Sequence, residues 1–453
     1  MLKEAIQSGK KLPIDIKAYE AKVKAAEYLR LSYKPTGIAY TQGDAPDGKI
    51  IHKMECEEKE DWRIRTSQTP TRHYVATVIN KYNSAVFRNE PTREESGIVE
   101  TLYSDADGFG SPLNTLMRNA LKSAQIDGAS YLLADSTASD TQILTIAQKN
   151  SSGVRPYIRL LKVDNILHIE EIENTITEAI VLLVDENGKT FARYMDDTDF
   201  IDMILDEKKM IVKDMSETYS HGYASIPLVQ IQPFDIPQSQ LPADSQRTIV
   251  NILSLLQQEI TDHTFTKHIL SGVRIPQDED GAKQKITYGS KRMIVLEDSG
   301  AKLDTIGSDV SQADSLRKQV ELEETNLYYA AGFGRPNVEP TALSGVSRLI
   351  AMEDFFISCD ALKNAIEVAE NKILALISSK ESGEVTQTAY IGKYVADDVG
   401  EDLQKLRDLL ALPLPNTFKK LAIKDYINKF YNVSDEDMRM IEQELLANEP
   451  VNP

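Results

Sequence analysis

The sequence predicts an α+β fold built around long helices, and three observations carry this. Apolar residues recur at alternating threes and fours over several segments, the longest running from about Ser344 to Ser379. The stretch 155–235 instead breaks into short β-type runs separated by turn signals. Two further helices, from Asp244 to about Leu270 and from Gln312 to about Ala331, bracket a Gly-punctuated module of about forty residues.

In chain order, residues 15–33 read as a helix and the Gly- and charge-rich 36–60 as a loop. In "TPTRHYVATVINKYNSAVFRNEP" (69–91), Tyr74, Val78, Tyr82 and either Ala85 or Val86 fall on one helical face, and Pro91 ends the helix. In "SDADGFGSPLNTLMRNALKSAQIDGASYLLAD" (104–135), Ser111 is placed to cap a helix with Pro112 at its first position. Leu113, Leu116, Met117, Ala120, Leu121 and Ala124 line its face, Gly128 ends it, and "ASYLLAD" is a strand. Asp105, Asp107 and Gly108 invite a calcium loop. The fifth and twelfth positions of such a loop need oxygen ligands and here hold Phe109 and Leu116, so a turn is the better reading.

The runs "RPYIRLLKVDNILHIEEI", "EAIVLLVDENGKTFARYM", "DFIDMILDEKKMIVKDM" and "IPLVQIQPFD" predict an antiparallel meander, with Asn187-Gly188 as one turn. Its carboxylates alternate with apolar residues, as on a solvated sheet face. The first long helix carries the stripe Ile249, Ile252, Leu253, Leu256 and Ile260, and with it His263 and His268. The module 272–312 holds short β runs such as Met293–Leu296. The second long helix offers Asp314–Lys318 and Arg317–Glu321 pairs at i,i+4, each worth a few tenths of a kcal/mol. The third has the stripe Met352, Phe356, Cys359, Leu362, Ile366, Ala369, Ile373 and Leu376. At its predicted length it spans roughly 54 Å, which asks for a partner or an assembly to lie across. Residues 385–397 read as a strand, and short helices follow, with Ser434 capping the last.

A length of 453 residues suggests about three compact units. With 51 Lys+Arg against 70 Asp+Glu the net charge is −19. Phosphate contacts come from Lys and Arg, so a surface this acidic does not bind DNA unaided. The two cysteines, Cys56 and Cys359, exclude a disulfide scaffold. One bridge or two buried thiols in a reducing cytoplasm both fit, the second being the blander reading. The N-terminus has no apolar core of a signal peptide, and no run of about 18 apolar residues predicts a membrane span.

The stretch "YYAAGFGRPNVEPTALSGVSRLI" (328–350) tempts a phosphate-loop reading. A dinucleotide loop lies between strand and helix, whereas Gly332-Phe333-Gly334 follows a helix and Asn337 stands where the third glycine would be. A Walker loop needs Lys and Ser/Thr after its glycine, and Val346 follows Gly345. His52, His73, His168, His221, His263 and His268 make no metal-binding spacing, and no nucleophile elbow occurs. No catalytic residue, metal or cofactor is assigned, and an enzyme is the weaker class of reading. Lys283, Lys285, Lys291 and Arg292 in the forty-residue module could form a positive rim for DNA or a partner, or blunt an edge strand.

Four stretches in a fixed order carry a family resemblance: "YVATVINKYNSAVFRNEP", "DADGFGSPLNTLMRNALKSAQIDGASYLLAD", "RPYIRLLKVDNILHI" and "ALSGVSRLIAMEDFFISCDALKNAIEVAENKI". Together with the order helix, small β module, helix, short Gly/Pro loop and very long helix, the chain resembles the portal proteins of tailed bacteriophages over residues 60–380. The resemblance implies a portal fold: an α/β wing (1–242), a stem helix (243–273), a clip (274–310), a second stem helix (311–332) and a tunnel loop (333–343). A long wing helix with a return strand (344–399) and a short helical, crown-like end (400–453) complete it. It also implies a ring, usually of twelve subunits, at one capsid vertex of a virion assembled in the bacterial cytoplasm. Double-stranded DNA passes through its channel during packaging and ejection. The implied partners are the terminase large subunit, the major capsid protein and neck or adaptor proteins, with no membrane and no hydrolytic activity in the ring itself. The carried-over DNA-facing residues are Arg335, Pro336, Asn337, Val338 and Glu339, with Gly332, Gly334, Ser344 and Gly345 as hinges. The chain departs from the pattern in its short C-terminal part and in a short tunnel loop with one basic residue. A capsid or neck component without a channel is the alternative.

Overall fold

The computed structural model describes residues 2–9, 11–55, 57–93, 100–136, 155–173, 175–185, 188–264, 267–271, 302–306, 310–333, 352–381 and 387–392, with short helical pieces at 407–409, 418–419 and 421–423. Where length suggests about three units, the chain forms two, Met1–Gly392 and Lys393–Pro453. The first is a mixed α/β body. Its helices are α1 (Leu2–Gln7), α2 (Ile16–Tyr33), α3 (Gly37–Thr41), α4 (Lys59–Gln68), α5 (Tyr74–Val86), α6 (Glu100–Ser104) and α7 (Leu113–Asp127), then the long α8 (Gln240–Thr264), α9 (Val310–Ala330) and α10 (Glu353–Glu381). Short strand pairs are β1–β2 (Asp44–Ala45, Gly48–Lys49) and β3–β15 (Thr92–Arg93, Thr388–Ala389).

Two antiparallel sheets face each other. One has the order β12-β4-β5, from β4 (Ser130–Ser136), β5 (Pro156–Lys162) and β12 (Leu228–Ile231). The other is the meander expected from the sequence. It comprises β6 (Ile166–Ile172), β7 (Thr175–Val184), β8 (Thr190–Met195), β9 (Asp199–Leu205) and β10 (Val212–Met215), with β11 (Tyr219–Ser220) beside β9. The period of two along a strand divides the apolar residues between two cores. Ala179, Val181 and Leu183 of β7 join Tyr131 and Leu133 of β4 between the sheets. Ile180 of β7 and Tyr194 of β8 face the other way, onto Leu2, Ile6 and Leu12 at the chain start. The meander is therefore buried on both faces, and the N-terminal segment covers what the expected solvated face would have exposed. Arg193 ties the sheets together, donating to Asp202 of β9 at 2.6 Å and to Asp135 of β4 at 3.1 Å.

A third core joins α2, α5 and α8 through Tyr28, Leu29, Val75, Ile79, Ala243 and Val250. The loop expected over 36–60 contains α3 and the β1–β2 pair, and its Tyr40, Ile50 and Ile51 are fully buried in this core. Asp15 caps α2, its carboxylate accepting from the Ala18 amide at 3.1 Å. In α7 the expected stripe is buried, but the cap falls on Pro112 and not on Ser111. The Ser111 amide donates to Asp107 at 3.1 Å, which holds that residue back in the preceding turn.

The third long helix differs from expectation in detail. Residues 344–351 lie outside the described residues, and α10 covers Glu353–Glu381, about 44 Å. Its buried stripe runs Phe355, Cys359, Leu362, Ile366, Ala369, Ile373 and Ile377, so Phe355 and Ile377 replace the expected Phe356 and Leu376. At 3.6 residues per turn a strict repeat drifts around the helix, and aromatic contacts at its start select Phe355. Cys359 is a free, buried thiol. Burial first and Asp360 second push it up to about 12, so it is a packing residue. The expected strand 385–397 is two residues long where described. Cys56, Asn187, Met293–Leu296 and Ser434 lie outside the described residues. No helix among the described residues is long and apolar enough to cross a membrane.

Lys3 pins α1 to the meander, donating to Asp196 at 2.8 Å and Asp199 at 2.7 Å. Burial raises the Asp196 carboxyl, but Lys3 and the Thr198 and Asp199 amides outweigh it and lower it to about 2. A carboxyl depressed on folding contributes stability above its unfolded pKa of about 4, lost as pH falls toward the folded value. Lys3→Ala is expected to cost about 1 kcal/mol at neutral pH. Urea denaturation over a pH series should show that gap closing as pH drops from roughly 4 to 2.

Candidate functional site

The feature that the sequence singles out, two long helices around a β module followed by a Gly/Pro stretch, is built from α8 and α9. At 1.5 Å per residue, the 25 residues of α8 extend about 38 Å and the 21 of α9 about 32 Å. The helices pack along each other and run in opposite directions. At their far ends β13 (Lys267–Ser271) pairs antiparallel with β14 (Lys302–Ile306), Lys267 opposite Ile306 and Ser271 opposite Lys302. This corrects the expected helix boundary. The helix stops at Thr264, and His268 lies on a strand opposite Thr305, not on the helix with His263.

The near end is fixed to the body by polar contacts of high quality. Gln246 of α8 has its whole amide engaged. Its oxygen accepts from Val75 at 3.2 Å, and its nitrogen donates to the Ser32 carbonyl at 2.9 Å and the Tyr40 hydroxyl at 3.2 Å. Ser254 accepts from Arg65 at 2.6 Å, and Arg65 also donates to Glu57 at 2.7 and 2.8 Å. A buried donor left without a partner costs 1–3 kcal/mol, so these contacts define one orientation of the helix. On α9, Tyr74 of α5 donates to Glu324. Arg317 turns back to Asp314 at 3.6 Å, i,i+3 and exposed, a pairing of little energetic weight.

The turn after α9 is a Schellman stop. The Phe333 amide donates to the Tyr328 carbonyl and the Gly332 amide to Tyr329, each at 3.0 Å. Gly332 takes φ +70°, in the left-handed region that favours glycine. It also lies against α10, where an added Cβ would come within 3.0 Å of the Phe355 amide nitrogen. Tyr82 of α5 donates to the Ala331 carbonyl at 2.8 Å, and burial pushes its hydroxyl up to about 12, which keeps it a neutral donor. Phe333 stacks 5.5 Å from both Tyr82 and Phe355, with the Lys81 ammonium 3.9 Å over its ring. Burial lowers Lys81, and the ring face supplies its charge with a partner.

Of the sequence-derived site residues, Gly332 is thus placed at the helix stop. Arg335, Pro336, Asn337, Val338, Glu339, Gly334, Ser344 and Gly345 lie outside the described residues, as do Lys283, Lys285, Lys291 and Arg292. Sequence reasoning missed the clamp on Phe333. Tyr82 was legible as part of the α5 stripe, but nothing local links it to Phe333 or Phe355. The Asp105–Ser111 turn is also resolved. Asp105 accepts from the Gly108 and Gly110 amides at 2.9 and 2.8 Å and from Arg155 at 2.5 Å. Asp107 accepts from the Phe109 amide at 2.8 Å. Both carboxylates are spent on shaping the loop.

Gly332→Ala is expected to destabilise the body by about 1–3 kcal/mol, from the positive φ and the contact with Phe355. Urea denaturation reads the loss, and a neutral result would mean that the turn moves freely of α10.

No family model matches the chain, and no curated protein matches it in sequence. Among solved structures it is similar to a chain in the virion of a native gene transfer agent particle, at 13% identity and TM-score 0.39, over 77% of this chain and 89% of that one. It is also similar to chains in two gene transfer agent necks. In the empty particle's neck computed with C6 symmetry, identity is 12% and the TM-score 0.42, over 77% of this chain and 89% of that one. In the native particle's neck computed with C12 symmetry, identity is 12% and the TM-score 0.36, over 77% and 88%.

Proposed function

We propose that the chain is the subunit of a portal-type ring of a phage-like particle, through whose axis double-stranded DNA is packaged and ejected. One observation carries the reading. Two antiparallel long helices, α8 and α9, leave the body and return, joined at their far ends by the β13–β14 ladder. The returning helix then stops sharply against a third long helix. In this reading the body is the wing, α8 and α9 the stem, the ladder the base of the clip, and the residues after Phe333 the tunnel loop.

Physical features of the chain support it. Leu255 on α8 is 38% exposed and Leu322 on α9 is 58% exposed, and Ile260 of the expected α8 stripe and Tyr329 of α9 are exposed as well. Repeated head-to-tail contact around a closed ring would cover such residues. The net charge of −19 suits a channel that repels DNA and lets it slide. Gripping then falls to a few replaceable contacts, among them Arg335. The terminase motor supplies the ATP chemistry, and this chain performs none. A capsid or neck component without a channel is the competing reading.

Negative-stain imaging and native mass spectrometry of the purified chain are expected to show a closed ring with an open axial hole. A stable monomer at assembly concentration overturns the proposal, and a ring without a hole favours the competing reading. Thermal shift with ATP or NAD is expected to show no stabilisation. Arg335→Glu should leave the ring assembled and reduce DNA retention in particles. Loss of assembly would instead make Arg335 a packing residue.

A further inference from the structure

Phe109 is 93% exposed, at the tip of a loop whose shape is held by two carboxylates. Asp105 gathers the Gly108 and Gly110 amides, and Asp107 gathers those of Phe109 and Ser111. Arg155 locks Asp105 from the neighbouring strand side at 2.5 Å, and the Ala106 carbonyl accepts from Ile158 of β5 at 2.7 Å. The flanking Gly108 and Gly110 both take positive φ, and a Cβ at Gly110 would meet nothing within 4 Å. The ring is thus presented on a preorganised loop with open space beside it. A lone exposed apolar residue is ordinary, but a rigid, protruding phenyl has already lost the freedom that binding would otherwise cost.

A complementary hollow exists on the same chain. A cavity of about 210 Å³ is lined by Val78, Tyr82, Ile236, Leu241, Pro242 and Ala331 among others. Its rim residues Ile236 and Leu241 are 68% and 52% exposed. A cavity of about 150 Å³ suffices for a benzene ring, so this one admits a phenyl side chain.

Phe109 cannot reach this cavity within its own chain. The loop sits before the N-terminal end of α7 and against β5. The cavity segment is fixed at the other end of α7, where Gln125 donates to Gln238 at 2.8 Å and the Ser239 amide donates to the Gln125 carbonyl at 3.1 Å. From Leu113 to Gln125 the helix rises about 18 Å. Across the sheet, β5 and β12 are opposite edges, with β4 between them, and the cavity segment follows β12 directly. Knob and hollow therefore belong to separate patches, one near each end of α7 and near opposite edges of the sheet, and a heterologous, head-to-tail contact joins two such different patches.

We infer that Phe109 of one copy of the chain seats in the Tyr82–Leu241 hollow of the next copy. This rests on the ring reading above and gives it a named contact. The hollow borders Ala331, whose carbonyl is held by Tyr82 immediately before the Schellman stop. The contact thus places each subunit's knob beside the turn from which its neighbour's tunnel-loop segment departs.

The test uses the full chain with a photoreactive benzophenone amino acid at position 109. Mixed ¹⁴N and ¹⁵N chains distinguish contacts between copies from those within one. The expected result is an inter-chain cross-link to residues 236–242 or 330–331. Cross-links only elsewhere, or none in an assembled ring, overturn the inference while leaving the ring reading intact. Phe109→Ala and Leu241→Glu should each raise the concentration needed for half-assembly by roughly tenfold or more, with unchanged thermal unfolding of the dissociated chain. Unchanged assembly in both variants also overturns it. A parent chain that never assembles fails the ring reading first and takes this inference with it.

Discussion

The Glu370 carboxylate, fully buried in the middle of α10, is the interaction on which the arrangement of the body most depends. It accepts from Arg93 of β3 at 2.6 and 3.1 Å, from the Thr388 hydroxyl of β15 at 3.0 Å and from the Tyr390 hydroxyl at 2.5 Å. A buried charge is tolerable only when paired and hydrogen-bonded throughout, and here the contacts converge from a single strand pair and the residue that follows it. The helix can therefore neither slide nor rotate without stranding both Glu370 and Arg93. Its two ends inherit that constraint. At one end Phe355 meets Tyr82 and Phe333. At the other Lys380 reaches Ser136 at 3.1 Å and the Tyr223 ring at 4.3 Å.

The fixed position of α10 explains why the turn after α9 is so tightly specified. Gly332 must stop one helix in the space left by the start of another, with Tyr82 bridging from α5. The α8–α9 pair is thus held at its base by Gln246, Arg65, Tyr74 and Tyr82, and its far ends are joined by the β13–β14 ladder. Movement at the base is resisted by many buried contacts.

Much of this architecture was legible in the sequence, because long amphipathic periods and turn dipeptides are local signals. The stripe of α7, the α8 stripe from Ile249 to Leu256, the meander and the strand that includes Asp135 all follow from spacing of two or 3.6. What was not legible depends on distant partners. Residues 267–271 read as a continuation of α8, since Ile269 and Leu270 extend its apolar count. Only pairing with 302–306, more than thirty residues away, makes them a strand. Phe355 takes the place of Phe356 because an aromatic cluster from α5 and the α9 turn lies on that side. Ser111 loses its expected cap role to Pro112, because the Asp107 carboxylate four residues earlier holds its amide in the preceding turn. The second face of the meander is buried because the first fourteen residues fold over it, which no periodicity within the strands could reveal.

The charge balance gains meaning from where the cations sit. Arg30 is spent on Asp127 and Asp164 at 2.5–2.9 Å, Arg65 on Glu57, Arg93 on Glu370, Arg155 on Asp105 and Arg193 on Asp135 and Asp202. These guanidiniums hold elements together in planar, forked contacts that a lysine could not reproduce. Arg65, Arg93 and Arg193 are correspondingly withdrawn from the surface. Five guanidiniums take up seven carboxylates in these contacts, so the acidic excess left to the rest of the chain is close to that of the whole. A polyanion near such a surface meets repulsion over most of it. Attraction is confined to basic residues outside these internal pairs.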